Sequence, residues 1–326
     1  MKPPARRCNI FIASSSEALP IAQAVKQHFD QEWDVDIWKE NIFNPNWNYL
    51  ETLLNRASYY DYCIAICAAD DAARIREETV KVTRDNVVFE FGLFLGRIGP
   101  NRTFLIVDEE VKLFSDWDGI EVAKYRAGSD LVSAVRTACD SIRKEINVAE
   151  KLPHFTMLPS TSLAIGYCNN FLRRVFEAFE FSETYSIVKR NDRGDIIEET
   201  SHRIVDRQPQ IHVLLPRHLQ DLQPEWLKQR TSAYRQIAVT TRYREFPFYI
   251  GEGPTPDVGE IRLFDIPTTL LSSKIAIERV FDAEFLALED TAQHLESREI
   301  ANFERTIRLM MPDKFEREYL KLSVLE

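Results

Sequence analysis

Glycine is scarce in this chain, ten in 326 residues, and those ten form no GxGxxG, GxxxxGK[ST] or GxSxG arrangement. Redox Rossmann folds, P-loop phosphate binding and serine hydrolysis therefore lose the backbone turns they depend on. HExxH is missing too, and with it the zincin reading. The five cysteines, Cys8, Cys63, Cys67, Cys139 and Cys168, show no paired framework. Cys63 and Cys67 lie in the apolar run YCIAIC, so reduced core thiols are expected. Neither a metal site nor a resident cofactor is expected. No apolar run approaches the ~18 residues of a membrane span. MKPPARR gives way to only a short apolar stretch before polar serines, unlike a signal peptide. A soluble, cytoplasmic protein with no membrane partner is the expectation. Positive charge is also short: the net charge is −10, which disfavours diffuse attraction to DNA or RNA. Any anionic ligand must meet local arginines.

With 44% hydrophobic residues, 326 residues supply two ordinary domains, each with its own core. The first ~150 residues alternate short apolar runs with helical patterns. CNIFIA (8–13), VDIW (35–38), YCIAIC (62–67) and TFLIVD (103–108) read as strands. Helices are expected at about 17–29, 47–57, around Glu90, and 129–146. This βαβα rhythm predicts a parallel sheet covered by helices on both faces. Such sheets bind ligands beyond the carboxyl ends of their strands. Ser14, Ser15 and Ser16, then Trp38 and Lys39, then Asp70 and Asp71 follow successive strands and should share one rim.

The stretch RDNVVFEFGLFLGRIG, Arg84 to Gly99, carries the most information. Val87, Val88, Phe91, Phe94 and Leu95 recur at helical spacing, and Asp85 or Asn86 is placed to cap the start. Glu90 falls between Phe89 and Phe91, near the border of the apolar stripe. A carboxylate held against aromatic rings is partly desolvated, which suits it to electrostatic or proton-transfer work. A solvated Glu on a helix face is the ordinary alternative. Lys39 and Arg84 read as solvated.

Around 147–159 the sequence NVAEKLPHFTMLP loses periodicity and holds two prolines, which marks a linker. The expected division is 1–149, a linker at 150–158, and a second α+β domain at 159–326. That domain begins with a long helix (about 161–179) and a polar hairpin turning at NDRG (191–194). The strand IHVLLP (211–216), strands around 236–250 and 260–265, and two C-terminal helices follow. HLQDLQPEW (218–226) reads as a loop leading into a short helix.

The opening strand with its serines, WKENIF with Asn44 to Leu50, and RDNVVFEFGLFLGRIGPNRTFLI together resemble the TIR-like domains of bacterial antiviral effectors, over roughly residues 7–146. The resemblance implies a flavodoxin-like fold and cleavage of NAD+ between nicotinamide and ribose, with the catalytic glutamate falling on Glu90. One acid suffices for that chemistry: nicotinamide leaves as a neutral pyridine, so the developing oxocarbenium ion mainly needs nearby negative charge. Glycosidases need a second carboxylate because their leaving oxygen must be protonated. Ser14 and Ser15 are candidates for contact with phosphate or ribose, and Trp38 for stacking on a base. Turn chemistry is the alternative for the serines, and strand-end packing for the tryptophan.

In the other half, LPSTSLAIGYCNNFLRRVF (158–176), IHVLLP and above all IRLFDIPTTLLSS (261–273) resemble the cyclic-dinucleotide-binding domain of bacterial STING proteins, over about 155–326. The segment 185–210 lies outside the pieces that carry the likeness. Asp265 ends an alternating strand just before Pro267, so its carboxylate is expected to project at a turn. Guanine offers N1–H and N2–H₂ donors that one carboxylate accepts together; adenine lacks the pair. Asp265 thus favours cyclic di-GMP, with capping of the following helix as the alternative. Thr269 is placed for ribose or phosphate. Phe171 falls where the family stacks a base, with Tyr167 one turn earlier, and core packing is the alternative for both. Arg242 and Arg244 in TTRYREF alternate as on a strand, so they either cap two phosphates as a lid or are simply solvated.

The two likenesses together imply a TIR-STING fusion effector of the anti-phage CBASS type. Such a protein is a cyclic-dinucleotide-activated NAD+ glycohydrolase that depletes NAD+ in abortive defence. A twofold-symmetric dinucleotide fits a twofold cleft, so a homodimer stacking into higher oligomers or filaments is implied. Three other readings stand: a non-catalytic TIR assembly module, a nucleoside hydrolase or deoxyribosyltransferase, and a dinucleotide binder without activity.

Overall fold

Asn9–Ala13 (β1) is apolar at nearly every position and is wholly buried, as a strand covered on both faces must be. In the computed structural model it lies between Asp34–Ile37 (β2) and Tyr62–Cys67 (β3), both parallel to it. Thr103–Asp108 (β6) and the three-residue strand Ala123–Tyr125 (β7) continue the sheet in the order β2-β1-β3-β6-β7. The model describes residues 7–37, 57, 59–75, 78–113, 122–150, 158–191, 193–251, 259–281, 283–287, 291–311 and 319–325. The expected helix near 47–57, the expected linker at 150–158, Trp38 and Lys39 lie outside them or almost wholly so.

Alternation along β1 sends Ile10 and Ile12 to one face and Phe11 and Ala13 to the other. Leu19–Phe29 (α1) and Leu131–Ala149 (α3) cover the first face, packing Ala22, Val25, Phe29, Val135 and Ile142 onto it. Asp85–Ile98 (α2) covers the second with Val87, Phe91 and Phe94, the last stacked on Phe11 at 4.9 Å between ring centroids. The helix carrying Glu90 therefore lies flat on the sheet. Its first residue is Asp85, and the preceding Arg84 occupies the cap position without a side-chain capping bond to the helix. Asp85 accepts instead from the Asn86 N–H, so neither caps as the spacing suggested. The carboxylate still sits in the first turn, where the helix dipole favours it. Between β3 and α2 runs a hairpin that the sequence pattern did not announce, Asp71–Ile75 (β4) against Glu78–Val82 (β5).

The chain divides between Leu152 and Pro153 into two compact units. In the second, Pro159–Tyr167 (α4), a π-helical turn Cys168–Leu172 and Arg173–Glu180 (α5) make up the expected long helix. Seven strands follow the order β14-β10-β13-β12-β11-β8-β9. Pro209–Leu215 (β10) lies parallel to both Ile261–Asp265 (β13) and Leu320–Val324 (β14). Antiparallel pairing joins Glu245–Gly251 (β12), Tyr234–Thr241 (β11), Thr184–Arg190 (β8) and the edge strand Ile196–Arg203 (β9). The 191–194 turn forms as expected: Asn191 Oδ1 accepts from the N–H of Arg193 and Asp195, and Gly194 takes φ +88°. Short helices Pro224–Arg230 (α6), Leu271–Val280 (α7) and Ala283–Leu286 (α8), and the long Thr291–Met310 (α9), surround this core. Leu295, Phe303 and Ile307 of α9 are fully buried in it. Strand β14 is an addition to the expected elements; LKLSV is too short and mixed to announce itself.

Candidate functional site

Glu90 is fully buried on the sheet-facing side of α2, not at the border of the stripe. Its ring neighbours in sequence part company: Phe91 is buried and Phe89 is 51% exposed. The carboxylate acts on the Cys63 thiol, which is driven well above its ordinary pKa first by burial and then by the charge of Glu90. Cys63 pairs across the sheet with Phe11 and Thr103, so Glu90 stands beside the α2 face of the sheet. A charge in such a place is poorly screened, and its field on a nearby developing cation is correspondingly strong.

Ser14 and Ser15 follow β1 directly and are both buried. They differ in use. Ser15 Oγ accepts from the Ala18 N–H at 3.0 Å and donates to Asp70 in a short bond, so it closes the turn. Ser14 Oγ has no hydrogen-bond partner among the described residues. Neither hydroxyl is bonded to Glu90. Two further groups gather at the rim: Asp108, at the end of β6, and Asp70 both act on the buried Tyr125 hydroxyl, whose pKa burial raises first. Asp108 was legible as the last residue of TFLIVD; Tyr125, in a three-residue strand, was not. Arg84 is not simply solvated. It bonds Glu17 at 2.8 Å and lies 3.4 Å from Asp71, tying the turn after β1 to the start of β4 and of α2.

In the second unit Asp265 ends β13 but does not project at the turn. Its carboxylate accepts a short hydrogen bond from the Tyr167 hydroxyl and another from the Ile266 N–H. Burial raises its pKa to about 6, against the pull of those two donors. Proximity to Asp265, after burial, also raises Tyr249. Pro267 occupies the cap position of the next helical turn without a side-chain bond, so Asp265 is no N-cap. Phe171 lies in the π-helical turn, its ring 5.4 Å from Tyr167, 5.6 Å from Phe248 and 6.4 Å from Phe246. Arg242 and Arg244 are not on a strand. β11 stops at Thr241, whose Oγ1 accepts from the N–H of Tyr243 and Arg244 and bends the chain before β12. Both arginines are exposed, Arg242 near the Tyr243 ring and Arg244 5.7 Å from the Phe246 ring centroid. A continuous path of rings thus brings Arg244, Phe171 and Asp265 together. Thr269 is exposed, four residues past Asp265, in a single 3-10 turn.

All five cysteines are buried, and none is in a disulfide. Among the described residues no helix is long and apolar enough to cross a membrane.

By the family models that the parallel α/β unit and the mixed-sheet unit match, the class is a TIR domain followed by a STING domain. Residues 9–127 match the family model of the CAP12/Pycsar effector protein TIR domain, and residues 159–308 match the prokaryotic STING domain. CD-NTase-associated protein 12 of Flavobacterium daejeonense is 32% identical over 97% of this chain and 98% of its own. The chain belongs to the CD-NTase-associated protein 12 family. The Pycsar effector protein PaPycTIR of Pseudomonas aeruginosa is 39% identical over 145 residues, 43% of this chain and 47% of that protein. A solved bacterial STING in complex with c-di-GMP aligns with 54% of this chain and all of its own, at 24% identity and a TM-score of 0.38.

Proposed function

We propose that the protein is a cyclic-dinucleotide-gated NAD+ nucleosidase of anti-phage defence, with Glu90 as its catalytic carboxylate and cyclic di-GMP as its signal. The single observation that carries the catalytic half is the full burial of Glu90 in a TIR domain of this effector family. Burying a charge is costly, and chains retain one where its field is used. As the bond between nicotinamide and the ribose anomeric carbon lengthens, positive charge gathers on the ribose, and the Glu90 carboxylate stabilises it. Nicotinamide departs neutral with the bonding pair. Water then adds to the anomeric carbon and gives up one proton, leaving ADP-ribose. Ser14, with its unused buried hydroxyl, is the better of the two serines for a ribose or phosphate contact. Trp38 remains the candidate for base stacking.

In the second unit the Asp265 carboxylate, bonded to Tyr167 whose ring lies beside Phe171, accepts the guanine N1–H and N2–H₂ pair while Phe171 stacks on the base. Arg242 and Arg244, on the exposed hairpin turn, close over the phosphates, and Thr269 meets ribose or phosphate. A twofold ligand calls for a homodimer cleft, and stacking of such dimers brings TIR domains together to complete the active site.

The position of Glu90 beside Cys63 also favours a second reading, a structural carboxylate in a non-catalytic assembly module. Glu90→Gln keeps the shape and removes the charge. With cyclic di-GMP present, nicotinamide release by this variant should fall at least ~10³-fold while ligand binding is unchanged. Full activity in Glu90→Gln would favour the structural reading.

A further inference from the structure

Strand β9 is the edge of the seven-stranded sheet, and nearly every residue in it is exposed. Edge strands are ordinarily guarded by proline, lysine, bulges or a covering element. IIEETSHR contains neither proline nor lysine and runs for eight residues, and its one register irregularity lies at its start, where Lys189 and Arg190 face Glu198 and Ile196. The Ile204 N–H donates to the Glu183 carbonyl at 3.0 Å, which fixes the pairing phase with β8. Residues 198, 200, 202 and 204 turn their backbone groups toward β8. Glu199, Ser201 and Arg203 therefore turn theirs outward.

The side chains on that set are self-complementary about Ser201: apolar residues at both ends and opposite charges between them. Around Ser201, Glu199 precedes by two and Arg203 follows by two. Ile197, 66% exposed, lies beyond Glu199, and Val205, 79% exposed, lies in the turn beyond Arg203. Glu199 has no ion pair among the described residues, and Arg203 meets only Asp206 of its own turn, at 3.8 Å.

We infer that β9 is a docking edge for β9 of a second copy of this chain, paired antiparallel about a twofold axis at Ser201. Ser201 then faces Ser201 of the second copy, and Glu199 of each copy faces Arg203 of the other. The Ser201 pair exchanges two N–H···O bonds, and each Arg203 N–H donates to the opposite Glu199 carbonyl. A shift by one ladder step places Glu199 opposite Ser201 and Ile197 opposite Arg203, losing both ion pairs, so charge selects the register. The contact is isologous and self-complementary, as a twofold interface must be. β9 carries none of the residues assigned above to the dinucleotide cleft. One consequence does rest on the proposed cleft dimer: a second twofold contact on the same chain links dimers into an open row.

Full-length protein carrying Ser201→Cys tests the contact. Hydrogen-bonded antiparallel pairs place their Cα atoms about 5.5 Å apart, within disulfide reach. The five natural thiols are buried and contribute little background. Mild oxidation should give a disulfide-linked dimer, with or without cyclic di-GMP. Adding Glu199→Arg should lower its yield at least about fivefold, and further adding Arg203→Glu should restore it. These positions are exposed, so folding is spared. Absence of the dimer in both conditions, as when a different protein covers this edge, would overturn the inference. So would a yield indifferent to the charge reversal.

Discussion

Asp265 shows how a carboxylate taken out of water costs stability. It takes up a proton near pH 6 in the fold and near 3.8 when unfolded, chiefly because it is buried. The folded state thus holds the proton more tightly. This group favours the fold fully below about pH 4, and that contribution is lost as the pH rises through about 6. Asp265→Asn should therefore stabilise the protein by about 1–3 kcal/mol above pH 6 while weakening cyclic di-GMP binding. The gain should vanish toward pH 4, as followed by denaturant melts across that range. Tyr167 lowers the pKa of Asp265 through its hydroxyl. Tyr167→Phe should move the midpoint of pH-dependent ligand binding upward from about 6, read by calorimetric titration at several pH values; an unmoved midpoint would mean that the bond is not felt by the ligand.

At the scale of elements, α2 stands out because it must carry Glu90 against the sheet. Phe94, stacked on Phe11 and fully buried, anchors it, whereas Phe89 on the same helix faces outward. Phe94→Ala should cost about 3–5 kcal/mol of stability and Phe89→Ala less than about 0.5, measured by urea unfolding. Equal effects would show that the helix packs the other way. These elements were largely legible, because helices on a buried parallel sheet must write a three-and-four pattern and the strands between them a continuous apolar run. The departures share a cause. Arg242 and Arg244 alternate as strand residues do, yet Thr241 bends the chain there through its own hydroxyl, a local bond that alternation does not reveal. Asp265 stood at a strand end, where a turn suggests exposure; a tyrosine 98 residues away in sequence bonds it and leaves it only partly exposed. Glu90 went deeper than its border position suggested because burial is decided by what the sheet presents, and YCIAIC offers it small Cys63. Strands β4, β5, β7 and β14 are short and lean on neighbours for their pairing, so their own residues carry little sign of it.

For the whole molecule, the two units have separate cores and separate chemistry: a buried carboxylate on a parallel sheet, and a ring-lined carboxylate at the end of a mixed one. A protein that destroys NAD+ must be silent until called upon, and ligand binding at the second unit is the means proposed. Control of the first by the second is thus the central claim. It is tested most directly by nicotinamide release from NAD+ by the purified full-length chain, measured alone and against a panel of cyclic dinucleotides. The account predicts negligible release without ligand, strong release with cyclic di-GMP, and little with cyclic di-AMP, whose adenines lack the donor pair that Asp265 accepts. Equal release with and without cyclic di-GMP, or none under any condition, would contradict it.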